Sequence, residues 1–178
     1  MDHNYIVKSE DFMLRPLEFG DLEDLRKWRN TDTIRKWFVD QSLITSSQQA
    51  NWYTNYLKKE NDLFFIIVDL KISLRPVGAC SLYNINYEGK EAEFGRFMIG
   101  DPAARGIGLG QKTLEAICEF SREVLSLNSM YLEVLSDNKA AIKVYERVGY
   151  KIIDGFISKN TIKMSKQLNT LIYGSVIE

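Results

Sequence analysis

The sequence predicts a mixed α+β fold, and three observations carry that expectation. Apolar runs suited to strands alternate with apolar stripes at helical spacing in the order strand, helix pair, three-strand meander, helix, strand, helix, strand. The chain has 178 residues, 45% of them hydrophobic and 26% charged, which is enough for one compact core. No internal repeat or linker-like change of composition interrupts it, so residues 1–178 are expected to form one domain.

Each element has a local cause. Phe12 to Leu17 is a short strand. Asp21 to Asn30 places Leu22, Leu25 and Trp28 at helical spacing, with acids early and Arg26, Lys27 and Arg29 late, as the helix dipole favours. Thr45-Ser-Ser-Gln48 is a capping box, and the helix behind it should put Trp52, Tyr53, Tyr56 and Leu57 on one face. Leu63 to Leu70 is a buried strand, Arg75 to Asn86 a second strand, and the intervening Asp69 to Ser73 segment a loose hairpin connection. Glu91 to Gly100 is a third strand, broken by Asp101-Pro102. Leu114, Ile117, Cys118, Ser121, Val124 and Leu125 form a helical stripe after a glycine-rich turn. Ser129 to Leu135 is a strand. Asn138 to Val148 is a helix with Ala141, Val144, Tyr145 and Val148 on one face, ended by Gly149. Tyr150 to Ile157 and the tail from Thr161 add final strands.

Composition excludes several function classes. With 23 basic and 24 acidic residues the net charge is −1, so no nucleic-acid footprint is expected. The longest apolar run, Leu63 to Val68, is far short of a membrane span, and the first residues lack a secretory apolar segment, so a cytoplasmic location is expected. Cys80 and Cys118 are isolated among apolar neighbours, and the single histidine, His3, is expected in a frayed terminus. Imidazole-based nucleophilic sites and zinc sites thereby lack their groups, and no metal is expected.

Arg105-Gly106-Ile107-Gly108-Leu109-Gly110 lies between a strand and a helix. Glycines there allow close backbone approach, and the unpaired first amides of the helix at the positive end of its dipole make a seat for pyrophosphate. The same glycines would also serve a plain tight connection. No Gly-Lys-Ser/Thr follows, so the turn is not a Walker loop. Glu133 comes too late for the ribose-binding acid of a dinucleotide fold.

A second constellation, Ser136-Asp137-Asn138 at a helix start with Tyr145 two turns on and a Gly149-Tyr150 ending, sharpens the reading. Together with Arg105, Gly108 and Gly110, which match an Arg/Gln-x-x-Gly-x-Gly/Ala motif, it resembles the GNAT (GCN5-related) N-acetyltransferases over roughly 12–156. The resemblance implies a central, mostly antiparallel twisted sheet with a splayed strand pair, flanked by helices. It also implies acetyl-CoA as co-substrate and a small-molecule amine as acceptor.

Residue by residue, the resemblance implies that Phe97, Met98 and Ile99 lie along the pantetheine arm and that the amides of Gly106, Ile107, Gly108, Leu109, Gly110 and Gln111 hold the pyrophosphate. Arg105 would add charge there, or stand as a solvated loop arginine. Asn138 would contact the cofactor or simply cap its helix. Tyr145 would protonate the departing thiolate, or pack in the core. Glu93 would be the general base, with Glu91 on the same strand face, unless both are surface carboxylates.

The first helices build the acceptor pocket in this family. Trp28, Arg29 and Trp37 are the expected acceptor-binding residues, among further aromatics at Phe38, Trp52, Tyr53 and Tyr56 and a second arginine at Arg35. Aromatic faces and arginines suit an amino-sugar nucleotide. A protein N-terminus ranks second and a polyamine third, because the 34–45 stretch supplies only Asp40 to face a polycation. A sensor that binds acyl-CoA without turnover is the non-enzyme alternative. A monomer or homodimer is expected.

Overall fold

The computed structural model describes residues 3–71, 74–158 and 160–168. In chain order the elements are β1 (Val7–Lys8), β2 (Phe12–Pro16), α1 (Leu22–Asn30), α2 (Asp32–Arg35), α3 (Ser46–Tyr56), β3 (Leu63–Asp69), β4 (Pro76–Asn86) and β5 (Glu91–Ile99), then α4 (Leu109–Glu123), β6 (Ser129–Leu135), α5 (Lys139–Arg147), β7 (Lys151–Ser158) and β8 (Thr161–Gln167). One eight-stranded sheet runs β1-β2-β3-β4-β5-β6-β8-β7, and every neighbouring pair is antiparallel except β5 with β6. The fold class expected from sequence is the one observed; the element order differs by two short additions, strand β1 ahead of β2 and helix α2 between α1 and α3.

β3 shows why its sequence reads as an unbroken apolar run. Leu63, Phe65 and Ile67 enter the core shared with α4 and α5, while Phe64, Ile66 and Val68 enter a second core with Leu22 and Leu25 of α1 and Tyr56 of α3. Side chains alternate along a strand, so covering both faces with helices requires apolar residues at every position.

The helices follow their caps. Thr45 and Gln48 form the expected box: Gln48 N donates to Thr45 Oγ1 at 3.2 Å and Thr45 N donates to Gln48 Oε1 at 2.8 Å. α3 stops at Tyr56, however, so Leu57 is exposed instead of joining the aromatic face. Val124 likewise falls at the C-cap of α4 and is exposed, leaving Leu114, Ile117, Cys118 and Ser121 as the buried stripe. On α5 the buried face centres on Ile142, Tyr145 and Val148. Gly149 closes that helix at φ +96°, with Tyr150 N donating to Tyr145 O (3.0 Å) and Gly149 N to Glu146 O (2.9 Å), a Schellman ending.

His3 departs from expectation. It is buried, its Nε2 lies 3.2 Å from Phe64 O, and its ring packs on Phe65 and Tyr5. The start of the described chain is therefore tied to β3 by packing. The turn expected at Asp69–Ser73 lies partly outside the described residues, as does most of the tail after β8. Among the described residues no helix is long and apolar enough to cross a membrane.

Candidate active site

Two bulges shape the site. Between the pairs Ala79↔Met98 and Ser81↔Gly95, β5 carries one residue more than β4, and Arg96 takes φ +48°. Between Tyr83↔Glu93 and Asn86↔Glu91 the extra residue is on β4, where Asn84 takes φ +51°. Bulges bend and twist a strand. β5 pairs with β6 only from Glu91 to Glu93 and then diverges. The splay opens a cavity of about 500 Å³, walled by Phe97, Met98 and Ile99 on one side and by Val134, Asn138 and Tyr145 on the other. Beyond Glu93 the β5 edge facing this gap is no longer paired with β6, which suits an extended, amide-bearing arm such as pantetheine.

The glycine-rich turn divides its labour. Gly106 (φ +77°) and Gly108 (φ +83°) occupy left-handed backbone, and a Cβ on either would meet nothing within 4 Å. Gly108 is the N-cap of α4 and offers no side-chain cap, so the amides of Leu109, Gly110 and Gln111 remain available to a ligand. Gly110 serves packing instead: a Cβ there would lie 3.3 Å from the Phe97 ring. Open space beside two glycines and an uncapped helix start fit an incoming pyrophosphate. Ile107 is exposed, and Gln111 donates to Glu115.

Arg105 is committed elsewhere. Its guanidinium donates to Ile99 O and Gly100 O, both at 2.8 Å, and to Thr33 Oγ1 at 3.4 Å, clasping the end of β5 to α2. The structure thus places it as a main-chain clamp, although it also lines the cavity. Asn138 combines its two expected positions: Oδ1 accepts from Ala141 N at 3.2 Å as the cap of α5, and the residue lines the cavity.

Tyr145 is buried on the α5 face against Tyr150, ring centroids 6.1 Å apart, yet also borders the cavity. Burial pushes its ionisation well above the ordinary tyrosine range, so the phenol keeps its proton. A protonated phenol is a hydrogen-bond donor for a departing sulfur.

Glu93 stands at the head of the splay. Tyr83 donates its hydroxyl to Glu93 Oε1 at 2.6 Å, and Asn84 Nδ2 donates to Oε2 at 2.9 Å. Glu93 lines the cavity and Glu91 does not. Tyr83 carries no signal of its own in the sequence; Asn84 opens an Asn84-Ile85-Asn86-Tyr87 segment that resembles spermidine acetyltransferases, but only the paired register with its bulge brings both residues to the carboxylate.

On the acceptor side, Arg29 and Trp37 border the cavity, but Trp28 does not. Its indole occupies the space a Cβ at Gly100 would need, so its role is packing α1 on the end of β5. Arg29 lies 3.9 Å over the Phe38 ring and donates to Asp40 O. Burial lowers its ionisation, opposed by Asp40, and Arg35 adds repulsion. Arg96 also faces the cavity, held by Asp62 through contacts of 2.7 and 2.9 Å. Trp52 stacks on Tyr56 at 5.5 Å and borders a smaller apolar cavity of about 200 Å³ beneath Arg29 and Phe38. Two carboxylates, Asp40 and Glu133, join Glu93 on the main cavity. Glu133 shares a face of β6 with Tyr131, a signal legible only once β6 is known to border the splay.

The comparisons agree with this geometry. A family model described as an acetyltransferase (GNAT) domain matches residues 11–151. The spermidine N(1)-acetyltransferase of Vibrio cholerae is 26% identical over 142 residues, covering 80% of each chain. The crystal structure of spermidine N-acetyltransferase from Vibrio cholerae in complex with CoA and spermine shares the fold at TM-score 0.78 with 23% identity, covering 90% of this chain and 97% of the other. That enzyme has also been solved as a dodecamer. The apo structure of FdhC, a nucleotide-linked sugar GNAT, shares the fold at TM-score 0.78 with 20% identity, covering 93% of this chain and 91% of the other. With the family model spanning the splayed strands, the glycine turn and the Asn138–Tyr145 helix, the chain belongs to the GNAT acetyltransferases and is an acetyl-CoA-dependent N-acetyltransferase.

Proposed function

We propose that the chain moves the acetyl group of acetyl-CoA directly to a primary amine of a small polycation of the polyamine class. The observation that carries this reading is the convergence of Asp40, Glu93 and Glu133, from three separate parts of the chain, on one cavity. Glu91 adds to the field at its head: Glu93, Glu91 and Glu133 all disfavour ionisation of Tyr131, after burial itself. Of the three arginines there, Arg96 is paired with Asp62, Arg105 is spent on main-chain carbonyls, and Arg29 is engaged with Asp40 O and the Phe38 ring. This reverses the ranking expected from sequence. Counting carboxylates within 34–45 missed those contributed by β5 and β6. The similarity to the Vibrio spermidine enzyme supports the same acceptor class, and its dodecameric form supports an assembly larger than the expected monomer or homodimer, which light scattering would read.

The residues divide the chemistry. Glu93 takes a proton from the acceptor ammonium, because only the free amine has a lone pair for the thioester carbon. Tyr145 donates toward the sulfur as the carbon–sulfur bond breaks, the thiol leaves protonated, and the proton that the nitrogen sheds on becoming an amide restores the phenol through solvent. Phe97, Met98, Ile99 and the amides of 106–111 would hold the cofactor, which supplies an activated acetyl group. Direct transfer is supported by the walls themselves: among the described residues they include no Cys, Ser, Thr, Lys or His to form an acyl-enzyme. Both cysteines are buried, and burial holds their thiols protonated.

A second reading, an amino-sugar nucleotide, is favoured by one feature. Arg29 Nη1 is buried beside Phe38 with no hydrogen-bond partner among the described residues, and an acceptor phosphate would satisfy it. Release of free CoA thiol across spermidine, amino-sugar nucleotides and N-terminal peptides separates the readings. Spermidine is expected to lead. Turnover of a sugar nucleotide exceeding it by orders of magnitude would reverse the order, and binding of acetyl-CoA without turnover of any amine would make the domain a sensor.

A further inference from the structure

The approach from β4 to Glu93 is built with more care than a surface carboxylate needs. Tyr83 is opposite Glu93 in the antiparallel register, and its hydroxyl sits 2.6 Å from Oε1. The ring is pinned by Arg96, whose guanidinium lies 4.4 Å over it and is itself forked onto the buried Asp62. On the adjacent strand, position 95 is a glycine, and a Cβ there would come within 2.7 Å of the Tyr83 hydroxyl and 3.0 Å of its ring. Gly95 does not take a positive φ, so its backbone conformation does not call for glycine; the tyrosine does. The bulge that turns Arg96 back over the ring is also the one that opens the cavity.

We propose that Tyr83 is a positioning residue for Glu93, holding its carboxylate turned to the acceptor cavity, and that Gly95 exists to let it reach. The inference rests on the reading of Glu93 as the base. Glu93 is faced by Tyr83 and Asn84 from β4, by Tyr131 and Glu133 from β6, and by Glu91 and Arg96 from its own strand. Tyr83 and Asn84 put a donor on each carboxylate oxygen, which fixes how the group is turned. Tyr83 is suited to the task, because burial and the neighbouring Glu93 keep its phenol protonated throughout the working pH range. Asn84 fixes the second oxygen, and a carboxylate has lone pairs left for the acceptor proton.

The test uses four proteins, Tyr83→Phe, Gly95→Ala, Glu93→Gln and the Tyr83→Phe/Glu93→Gln double variant. Free CoA thiol is followed with spermidine as acceptor, or with an amino-sugar nucleotide if the panel selects it. Tyr83→Phe keeps the ring and its stack with Arg96. It is expected to lower kcat roughly 10- to 100-fold, the worth of a hydrogen bond to a charged group, with the KM for acetyl-CoA unchanged. The acidic limb of kcat/KM should move to higher pH, since a carboxylate that loses a donor holds its proton more tightly. Gly95→Ala leaves both side chains intact and should shift the profile in the same direction. In the Glu93→Gln background, removing the Tyr83 hydroxyl should cost almost nothing more. A merely structural tyrosine would lower the melting temperature and leave the pH limb in place. An unshifted limb in both Tyr83→Phe and Gly95→Ala, with Glu93→Gln inactive, overturns the positioning role alone. Full activity in Glu93→Gln removes the base assignment and this proposal with it. If Tyr83→Phe does not fold, Gly95→Ala decides.

Discussion

The proposed cofactor half and acceptor half of the site are built in opposite ways. The cofactor half runs from the β5 and α5 walls of the cavity to the glycine turn and the start of α4, which lie outside the cavity lining, and it offers mostly main chain: a strand edge not paired with β6 beyond Glu93, and helix amides left uncapped by Gly108. Its side chains are mostly apolar or, as with Arg105 and Asn138, bound to nearby backbone, the Tyr145 phenol being the exception. The acceptor half, from α1 through the 36–45 loop, offers side chains: Trp37, Arg29 stacked on Phe38, and Asp40. Recognition by main chain needs only a few glycines and a register, so a short motif records it. Recognition by side chains draws on groups scattered along the chain, and any of them can change without disturbing the fold.

That contrast can be attacked from both sides. The largest effect should come from Tyr145→Phe. The ring and its contact with Tyr150 remain, so folding and acetyl-CoA affinity should hold. Turnover should fall about 10²- to 10⁴-fold, as for a positioned general acid. Full activity in steady-state assays would return Tyr145 to a packing role. Gly108→Val comes next. Its left-handed backbone disfavours a branched residue by roughly 1–3 kcal/mol, which corresponds to about 10- to 100-fold in cofactor affinity if the turn must keep its shape to bind. Calorimetry with acetyl-CoA on the folded variant reads this, and unchanged affinity would show that the turn is only a connection.

The smallest effect separates two tryptophans on the acceptor side. Trp37, on the cavity rim, is 37% exposed, and Trp37→Ala should raise the acceptor KM about 3- to 10-fold with kcat and the melting temperature little changed. Trp28 fills the space over Gly100, so Trp28→Ala should instead cost about 2–4 kcal/mol of stability and spare the acceptor KM. If the two variants exchanged phenotypes, the division between rim and packing would be wrong.

Much of the molecule was legible before any coordinates. The apolar run of β3, the Thr45 capping box, the Gly149 ending of α5 and the positive-φ glycines at 106 and 108 each follow from a local rule acting within a few residues. The same locality explains the small misses. Leu57 and Val124 continue a helical stripe in the sequence, but both helices end one residue earlier. His3 could not be read as buried, because its partner Phe64 lies in a strand far along the chain.

By itself, then, the sequence determined the order of the longer elements, the glycine turn and the Asn138–Tyr145 helix, because backbone geometry and period-two or helical patterning are written in neighbouring residues. Only the tertiary structure decided which charges share the cavity. Glu93 and Tyr83 meet through strand pairing, Glu133 reaches them because β6 diverges from β5, and Asp40 arrives on a loop from the opposite side. Trp28 and Arg29 are neighbours in sequence, yet one packs over Gly100 and the other borders the cavity, because successive helical residues point about 100° apart. Charges act through space and not along the chain, so the acceptor was the last thing the sequence could express.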